Sequence, residues 1–237
     1  MSGDSVKTQS LFPRGGARRK SGGFSDSLSE HQCRLLLAAS DRASAANAPL
    51  NRFITILWER GGIAEREAAK ATQLFLKLAG DWFRSRGERF CWVYVHEWGV
   101  RNGAHAHILL HVPRHLDKEF GRLPLKWVKR LLPTGYRQGA LKSLKLLGGN
   151  APDGISAQIY AESLMYRLHY MMKAANPALE AKLKLVGASH AVWGQSSPIY
   201  GKRAGCWQAK KPSTDDGGCS NLASRAAGWI LMQAQDQ

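Results

Sequence analysis

An α+β fold is predicted by three stretches of the chain. Cys91–Pro113, CWVYVHEWGVRNGAHAHILLHVP, reads as two β-strands, Cys91–Trp98 and Ala104–Val112, with Asn102-Gly103 at the tip as a hairpin signal. Arg52–Trp58, RFITILW, is β-branched and aromatic and reads as a buried strand, and Ile63–Arg86 after it has the period of a helix. Ser156–Ala175, SAQIYAESLMYRLHYMMKAA, reads as a second long helix. The order through the hairpin is therefore strand, helix, strand, strand.

Composition bounds the function classes. The 237 residues suffice for one domain with extensions or two small ones, and 44% hydrophobic content can build a sizeable core. A formal charge of +16 points to a polyanionic partner, most simply nucleic acid. A solvated basic surface or attraction to an anionic membrane are the plainer explanations. No apolar run approaches a membrane span and no signal peptide opens the chain, so no membrane association is expected. Cys33, Cys91, Cys206 and Cys219 form no CxxC pair and read as reduced thiols of a cytoplasmic protein.

Residues 1–48 are rich in Ser, Gly, Ala and Arg without sustained periodicity. They read as a disordered basic tail with a short helical piece at Arg34–Ala39. The folded part is expected to begin near Asn51, with the strand Arg52–Trp58 and a break at Gly61-Gly62. In the helix Ile63–Arg86, the residues Ala71, Phe75, Leu78 and Trp82 make one apolar stripe facing a sheet. Arg84 and Arg86 suit its C-terminus and Gly87 its stop.

The hairpin carries the first chemistry. Alternation puts His105 and His107 on one face, about 6.6 Å apart at the backbone, close enough for two imidazoles to converge on one ion. Ala104, Ala106, Ile108 and Leu110 form the opposite, core-facing side. On the first strand Cys91, Val93, Val95 and Glu97 share a face, so Glu97 can join the histidines in a two-His, one-carboxylate site with open positions. His111 continues the same face and His96 lies on the other, so the third ligand stays open. The metallo-β-lactamase pattern HxHxDH is broken by Leu109 and Leu110, and an amidohydrolase barrel needs a much longer chain after its HxH.

Between Gly121 and Gly149 there is no acid, and seven basic residues occur: Arg122, Lys126, Lys129, Arg130, Arg137, Lys142 and Lys145. A helix at Leu125–Leu132 and a strand near Ser143–Leu147 are expected there. Charge of one sign beside a metal hairpin points to a groove for a phosphate backbone, against the plainer reading of a basic helix in solvent.

The helix Ser156–Ala175, stopped by Asn176-Pro177, has two faces. Leu164, Leu168, Met171, Met172 and Ala175 form the core stripe. Tyr166, Tyr170 and Lys173 recur on another face, the phenols roughly 6 Å apart along the axis. Because a better core stripe exists, the tyrosines are free for chemistry. A phenol can attack a phosphodiester, although ionising it at neutral pH costs about 4 kcal/mol. A divalent ion on the phosphate and a cation such as Lys173 near the phenolate offset that cost.

HAHILLHV followed by YRLHYMMK resembles the HUH endonuclease superfamily, and is most similar to the rolling-circle replication initiators of bacterial plasmids and phages. Arg52–Ile56 resembles the family's first motif strand, Glu97–His107 its metal motif and Tyr166–Lys173 its nucleophile motif, within a span of about Asn51–Asn176. The resemblance implies a central antiparallel sheet with flanking helices, and a nicking domain over residues 49–176. It implies Mg²⁺ or Mn²⁺ on His105, His107 and Glu97. It further implies single-stranded or hairpin origin DNA as substrate, a 5′-phosphotyrosine intermediate and a free 3′ hydroxyl. Tyr170 matches the YxxK position and is the first choice of nucleophile, with Tyr166 as the second of a pair; a bacterial cytoplasm follows as the setting. Position 106 is only Ala, and Arg167-Leu168-His169 has no ready counterpart.

Residues 177–237 read as a basic C-terminal extension. Ser197–Trp207, SPIYGKRAGCW, combines glycine, basic and aromatic residues and could be a loop that stacks bases and holds phosphates. With Lys126, Lys129, Arg130, Arg137 and Lys142, its Lys202 and Arg203 complete the candidate DNA contacts. Asn221–Met232 could form a closing helix. No GxxxxGK[ST] occurs, so unwinding would need a host helicase, and extension a host DNA polymerase. A relaxase or single-strand transposase of the same chemistry, a non-catalytic basic DNA-binding protein and a non-haem iron enzyme are the alternatives; the basic stretch argues against the last.

Overall fold

The strand Gly103–Leu110 sits at the middle of the sheet that organises the chain, and its sequence explains why: apolar residues fill one face and the other carries His105, His107 and Leu109. In the computed structural model residues 24–133, 135–149, 154–175, 178–185 and 199–208 are described. In chain order the elements are β1 (Phe24–Ser25), α1 (Glu30–Ala45), β2 (Arg52–Leu57), α2 (Glu65–Arg84), β3 (Trp92–Gly99), β4 (Gly103–Leu110), α3 (Asp117–Phe120), α4 (Leu123–Leu131), β5 (Leu141–Lys145), α5 (Gly154–Met171), α6 (Ala178–Lys182), β6 (Ile199–Tyr200) and β7 (Ala204–Cys206). Five strands form an antiparallel sheet in the order β5-β2-β4-β3-β7, while β1 pairs with β6.

Helices cover both faces. Phe53, Val93, Val95 and Leu109 pack against Leu36 and Ala39 of α1 and against Leu164, Leu168 and Met171 of α5. Ile54, Ile56, Tyr94, Ala106, Ile108 and Leu110 pack against Phe75, Ala79 and Phe83 of α2 and Trp127 and Val128 of α4. The expected core stripe of α5 is all buried, from Leu164 to Ala175 just beyond the helix; Asn176-Pro177 lies outside the described residues. In α2 the buried line runs through Ala68, Ala71, Thr72, Phe75, Ala79 and Phe83. Leu78 and Trp82 are only partly buried. Trp82 turns sideways onto Phe120 and Trp127, with centroids 5.7 and 6.2 Å away, because the helix meets α3 and α4 as well as the sheet.

The hairpin loop is Val100–Asn102, since Gly99 and Gly103 pair across it. Gly103 has φ +59°, and a Cβ there would strike the Glu59 side chain, whose Oε2 accepts from the Ala104 N–H at 2.8 Å. Glycine at 103 thus serves both the turn and the approach of Glu59.

The expected tail departs most from the structure. Its part from Glu30 to Ala45 is a four-turn helix with a capping box between Ser29 and Gln32. Leu28, Cys33, Leu36, Ala39 and Ala43 are buried. The apolar stripe is made largely of small residues, so it carries little hydrophobic contrast. Leu36→Ala is expected to cost about 2–5 kcal/mol in urea denaturation; a change below about 0.5 kcal/mol would mean α1 is not part of the core. Arg18-Arg19-Lys20, Cys219 and Asn221–Met232 lie outside the described residues.

Ser197–Trp207 is likewise not a free basic loop where it is described. Ala204–Cys206 is an edge strand beside β3, and Trp207 Nε1 donates to Ala39 O at 3.2 Å. Arg203, one of the candidate DNA contacts, is 2% exposed and donates to the Ser25 carbonyl and hydroxyl, tying β1 to the sheet edge. Lys202 stays exposed.

His96 joins these layers. Its backbone N–H donates to Arg203 O at 2.7 Å, and its ring nitrogens lie 2.9 Å from Lys202 O and 2.7 Å from Thr72 Oγ1. Burial pushes its pKa down to about 4, against the opposing pull of the Lys202 carbonyl. Between pH 6.5 and 4 the unfolded chain binds this proton and the folded chain does not. Stability therefore falls as pH falls through that window, by about 3 kcal/mol from His96. Urea midpoints at pH 7 and 4.5 should show a smaller pH slope for His96→Gln; an undiminished slope would refute the assignment.

Candidate metal centre

Register brings the centre together. Glu97 lies directly across from His105, and His107 lies between Val95 on β3 and Thr55 on β2. Opposed residues of antiparallel strands share a face, so all three side chains project on the α5 side. Glu97 Oε2 is 3.3 Å from His105 Nε2 and 3.4 Å from His107 Nε2. The three candidate ligand atoms lie within 4.8 Å of one another, and the residues are 5%, 5% and 3% exposed. His111 and His96 are outside this cluster: His111 Nδ1 meets Pro49 O at 2.8 Å, and His96 faces α2.

The donor set fits a divalent cation. Glu97 Oε1 and His107 Nε2 are buried without a hydrogen-bond partner, a state that a bound cation would relieve. His105 Nδ1 lies 2.8 Å from Gly103 O; a carbonyl only accepts, so Nδ1 carries a proton and Nε2 is the ring atom that faces the cluster. His107 Nδ1 is 2.9 Å from Thr55 Oγ1, which orients the second ring. Burial pushes His107 down to about 4, so it is a neutral ligand at physiological pH. Burial alone would raise Glu97, but His107, His105 and Lys173 together hold its carboxyl well below the usual range. These three residues can coordinate a divalent ion, with a carboxylate for hard ions and imidazoles for softer ones.

Helix α5 and the turn after it supply the other groups. Lys173 Nζ pairs with Glu97 Oε2 and stands 4.0 Å from the centre of the Tyr170 ring. Burial lowers the Lys173 pKa and Glu97 opposes that shift. Tyr170 meets His107 edge-on, with centroids 5.0 Å apart and planes at 70°. Burial, then the Glu97 charge, push its hydroxyl up to about 12, with Arg167 opposing. Tyr166 is 55% exposed, one turn back, with no ring contact to the cluster histidines.

The basic residues divide. Lys126, Lys129 and Arg130 are exposed on α4, which covers the sheet face opposite the cluster. Arg137 is exposed in the loop before β5, and Lys145 pairs with Asp117. Lys142 lies opposite Thr55, which lies opposite His107, so it shares the cluster face two strands and about 10 Å away. The groove of one sign expected beside the hairpin is therefore not formed by α4.

Three neighbours were not foreseen. Phe53 stacks on His107, with centroids 5.5 Å apart and planes at 14°. Thr55 holds His107, and Arg167 stands over Phe53. Alternation along Arg52–Trp58 puts Phe53 and Thr55 on one face, but only the pairing of β2 with β4 brings that face to the histidines.

No protein-family model matches the chain, and no curated protein is similar to it in sequence. Among solved structures it is similar to the N-terminal nuclease domain of non-structural protein 1 of minute virus of mice, described as coordinating Zn²⁺ in its active-site pocket and recognising DNA at the origin of replication. The TM-score is 0.28 at 11% identity, over 56% of this chain and 70% of that one. The score and identity are too low to transfer any residue or activity between them.

Proposed function

We propose that this chain is a metal-dependent HUH-type nuclease that nicks and rejoins single-stranded DNA through Tyr170, initiating rolling-circle replication of a bacterial plasmid or phage. The observation that carries the reading is a phenol edge-on to His107, beside a buried Glu97–His105–His107 cluster with orphaned donor atoms. A Mg²⁺ or Mn²⁺ ion held by Glu97, His105 and His107 would supply Lewis-acid withdrawal of charge from the scissile phosphate. Tyr170 Oη gives up its proton and attacks phosphorus, the bond to the 3′ oxygen breaks, and that oxygen takes up one proton in exchange and leaves as the 3′ hydroxyl. The 5′ phosphate stays on Tyr170, and return of a 3′ hydroxyl rejoins the strand. Lys173 compensates Glu97 and, above the Tyr170 ring, favours negative charge on the phenol. Tyr166 is the second tyrosine of the initiator pattern. Origin DNA, a host helicase and polymerase, and a bacterial cytoplasm complete the proposal; a relaxase or single-strand transposase would use the same chemistry.

The test is a covalent protein–DNA band on single-stranded replicon oligonucleotides with Mn²⁺, with the modified peptide mapped by mass spectrometry. The band should vanish with EDTA. A second reading, a basic DNA-binding protein without catalysis, is favoured by the exposed Lys126, Lys129 and Arg130 facing away from the cluster. It predicts salt-dependent binding, no metal requirement and no covalent product.

A further inference from the structure

Arg167 is the cation at the centre to which the nicking steps give no task. It lies on α5 between Tyr166 and Tyr170, half-buried. Its guanidinium carbon is 5.0 Å from the Phe53 ring centre and 5.4 Å from that of Tyr166. Phe53 in turn stacks on His107, so the guanidinium ends a column that begins at the candidate metal ligand.

Three other arginines of this fold are held by acceptors: Arg52 by Asp117, Arg86 by Glu119 and Arg203 by Ser25. Among the described residues Arg167 has no carboxylate partner and no hydrogen bond; its contacts are the two rings. Glu97, the acid of the centre, is already paired with Lys173. A guanidinium over aromatic rings keeps its planar fork of donors for another ligand, and that fork matches phosphate oxygens. Phe53 and Thr55 are both on β2, and Lys142 follows beside Thr55 on β5. Arg167 and Lys142 therefore flank His107 on its β2–β5 side, opposite the Glu97–Lys173 pair.

We propose that Arg167 is a phosphate-binding positioning residue. It holds the backbone of the single strand next to the scissile phosphate and leads the strand across Phe53 towards Lys142. This rests on the nicking reading and adds a direction to it: the strand leaves the centre over the β5 edge of the sheet.

The test is equilibrium binding of an oligothymidylate of about 20 nucleotides in EDTA, followed by fluorescence anisotropy over a range of KCl, for the whole chain and for Arg167→Gln and Arg167→Lys. Arg167→Gln should weaken binding about tenfold at about 50 mM KCl and reduce the log–log salt slope by about 0.7, one single-strand phosphate. Arg167→Lys should keep the slope, and melting temperatures should be alike. An unchanged slope and affinity in Arg167→Gln overturns the proposal. Equal losses in both variants with lowered melting also overturn it, because they mark ring packing rather than charge. Covalent adduct formation with Mn²⁺ is scored on the same wild-type preparation, so an adduct with an unaltered Arg167→Gln slope defeats this proposal alone. A wild-type chain that neither binds the strand nor forms an adduct defeats both.

Discussion

Tyr170→Phe is expected to abolish the covalent protein–DNA product, with strand cleavage falling on the order of 10⁴-fold or more. The variant removes one oxygen and leaves the ring against His107 and Phe53, so the ring packing beside the candidate metal ligands should be kept. Tyr166→Phe should leave the first cleavage within a few-fold of wild type, because its half-exposed ring does not reach the cluster histidines. Its effect should appear in strand rejoining, where the initiator pattern uses a second tyrosine. Gel detection of the adduct and peptide mapping separate the outcomes. An adduct on Tyr166 at the full rate in Tyr170→Phe would reverse the assignment, and an adduct in the doubly substituted chain would end the tyrosine mechanism.

His107→Ala is expected to weaken Mn²⁺ binding by at least about 100-fold, measured by electron paramagnetic resonance of free Mn²⁺. Wild type at a Mn²⁺ concentration about 100 times Kd should gain about 2.7 kcal/mol of stability, or roughly 5–10 °C in melting temperature. The variant should show no such shift, and EDTA should return the wild type to its metal-free value. The same substitution removes the ring stacked on Phe53, so the metal-free variant should itself melt lower. The diagnostic quantity is the Mn²⁺-dependent increment. An increment that persists in His107→Ala would place the ion elsewhere.

Much of the centre is legible from strand alternation. A period of two puts His105 and His107 on one face and Glu97 on the matching face of the neighbouring strand, since hairpin partners are close in sequence. Which residue completes the cluster was open among Glu97, His111 and His96. Register decides it: Glu97 is paired with His105, His111 lies beyond the strand on Pro49 O, and His96 points to α2. The α5 stripe from Leu164 to Met172 is legible for a similar reason, because large apolar side chains recur at helical spacing.

The sequence by itself therefore determined what depends on near neighbours: strands β2, β3 and β4, helices α2 and α5, the hairpin, the shared face of the histidines and the line of Tyr166, Tyr170 and Lys173. Tertiary structure alone decided what depends on distant partners. Helix α1 is hidden by its small residues, and its packing needs a sheet edge formed by β7, far along the chain. Arg203 carries a charge that looks solvent-bound until Ser25 is found beside it. The basic residues of α4 look like a groove lining until that helix packs on the face away from the cluster. Arg167 meets Phe53, and Tyr170 meets His107, only because α5 crosses the sheet there. Local periodicity fixes which way a side chain points within its own element; which surface it then meets is set by the burial of apolar area among elements that are remote in sequence.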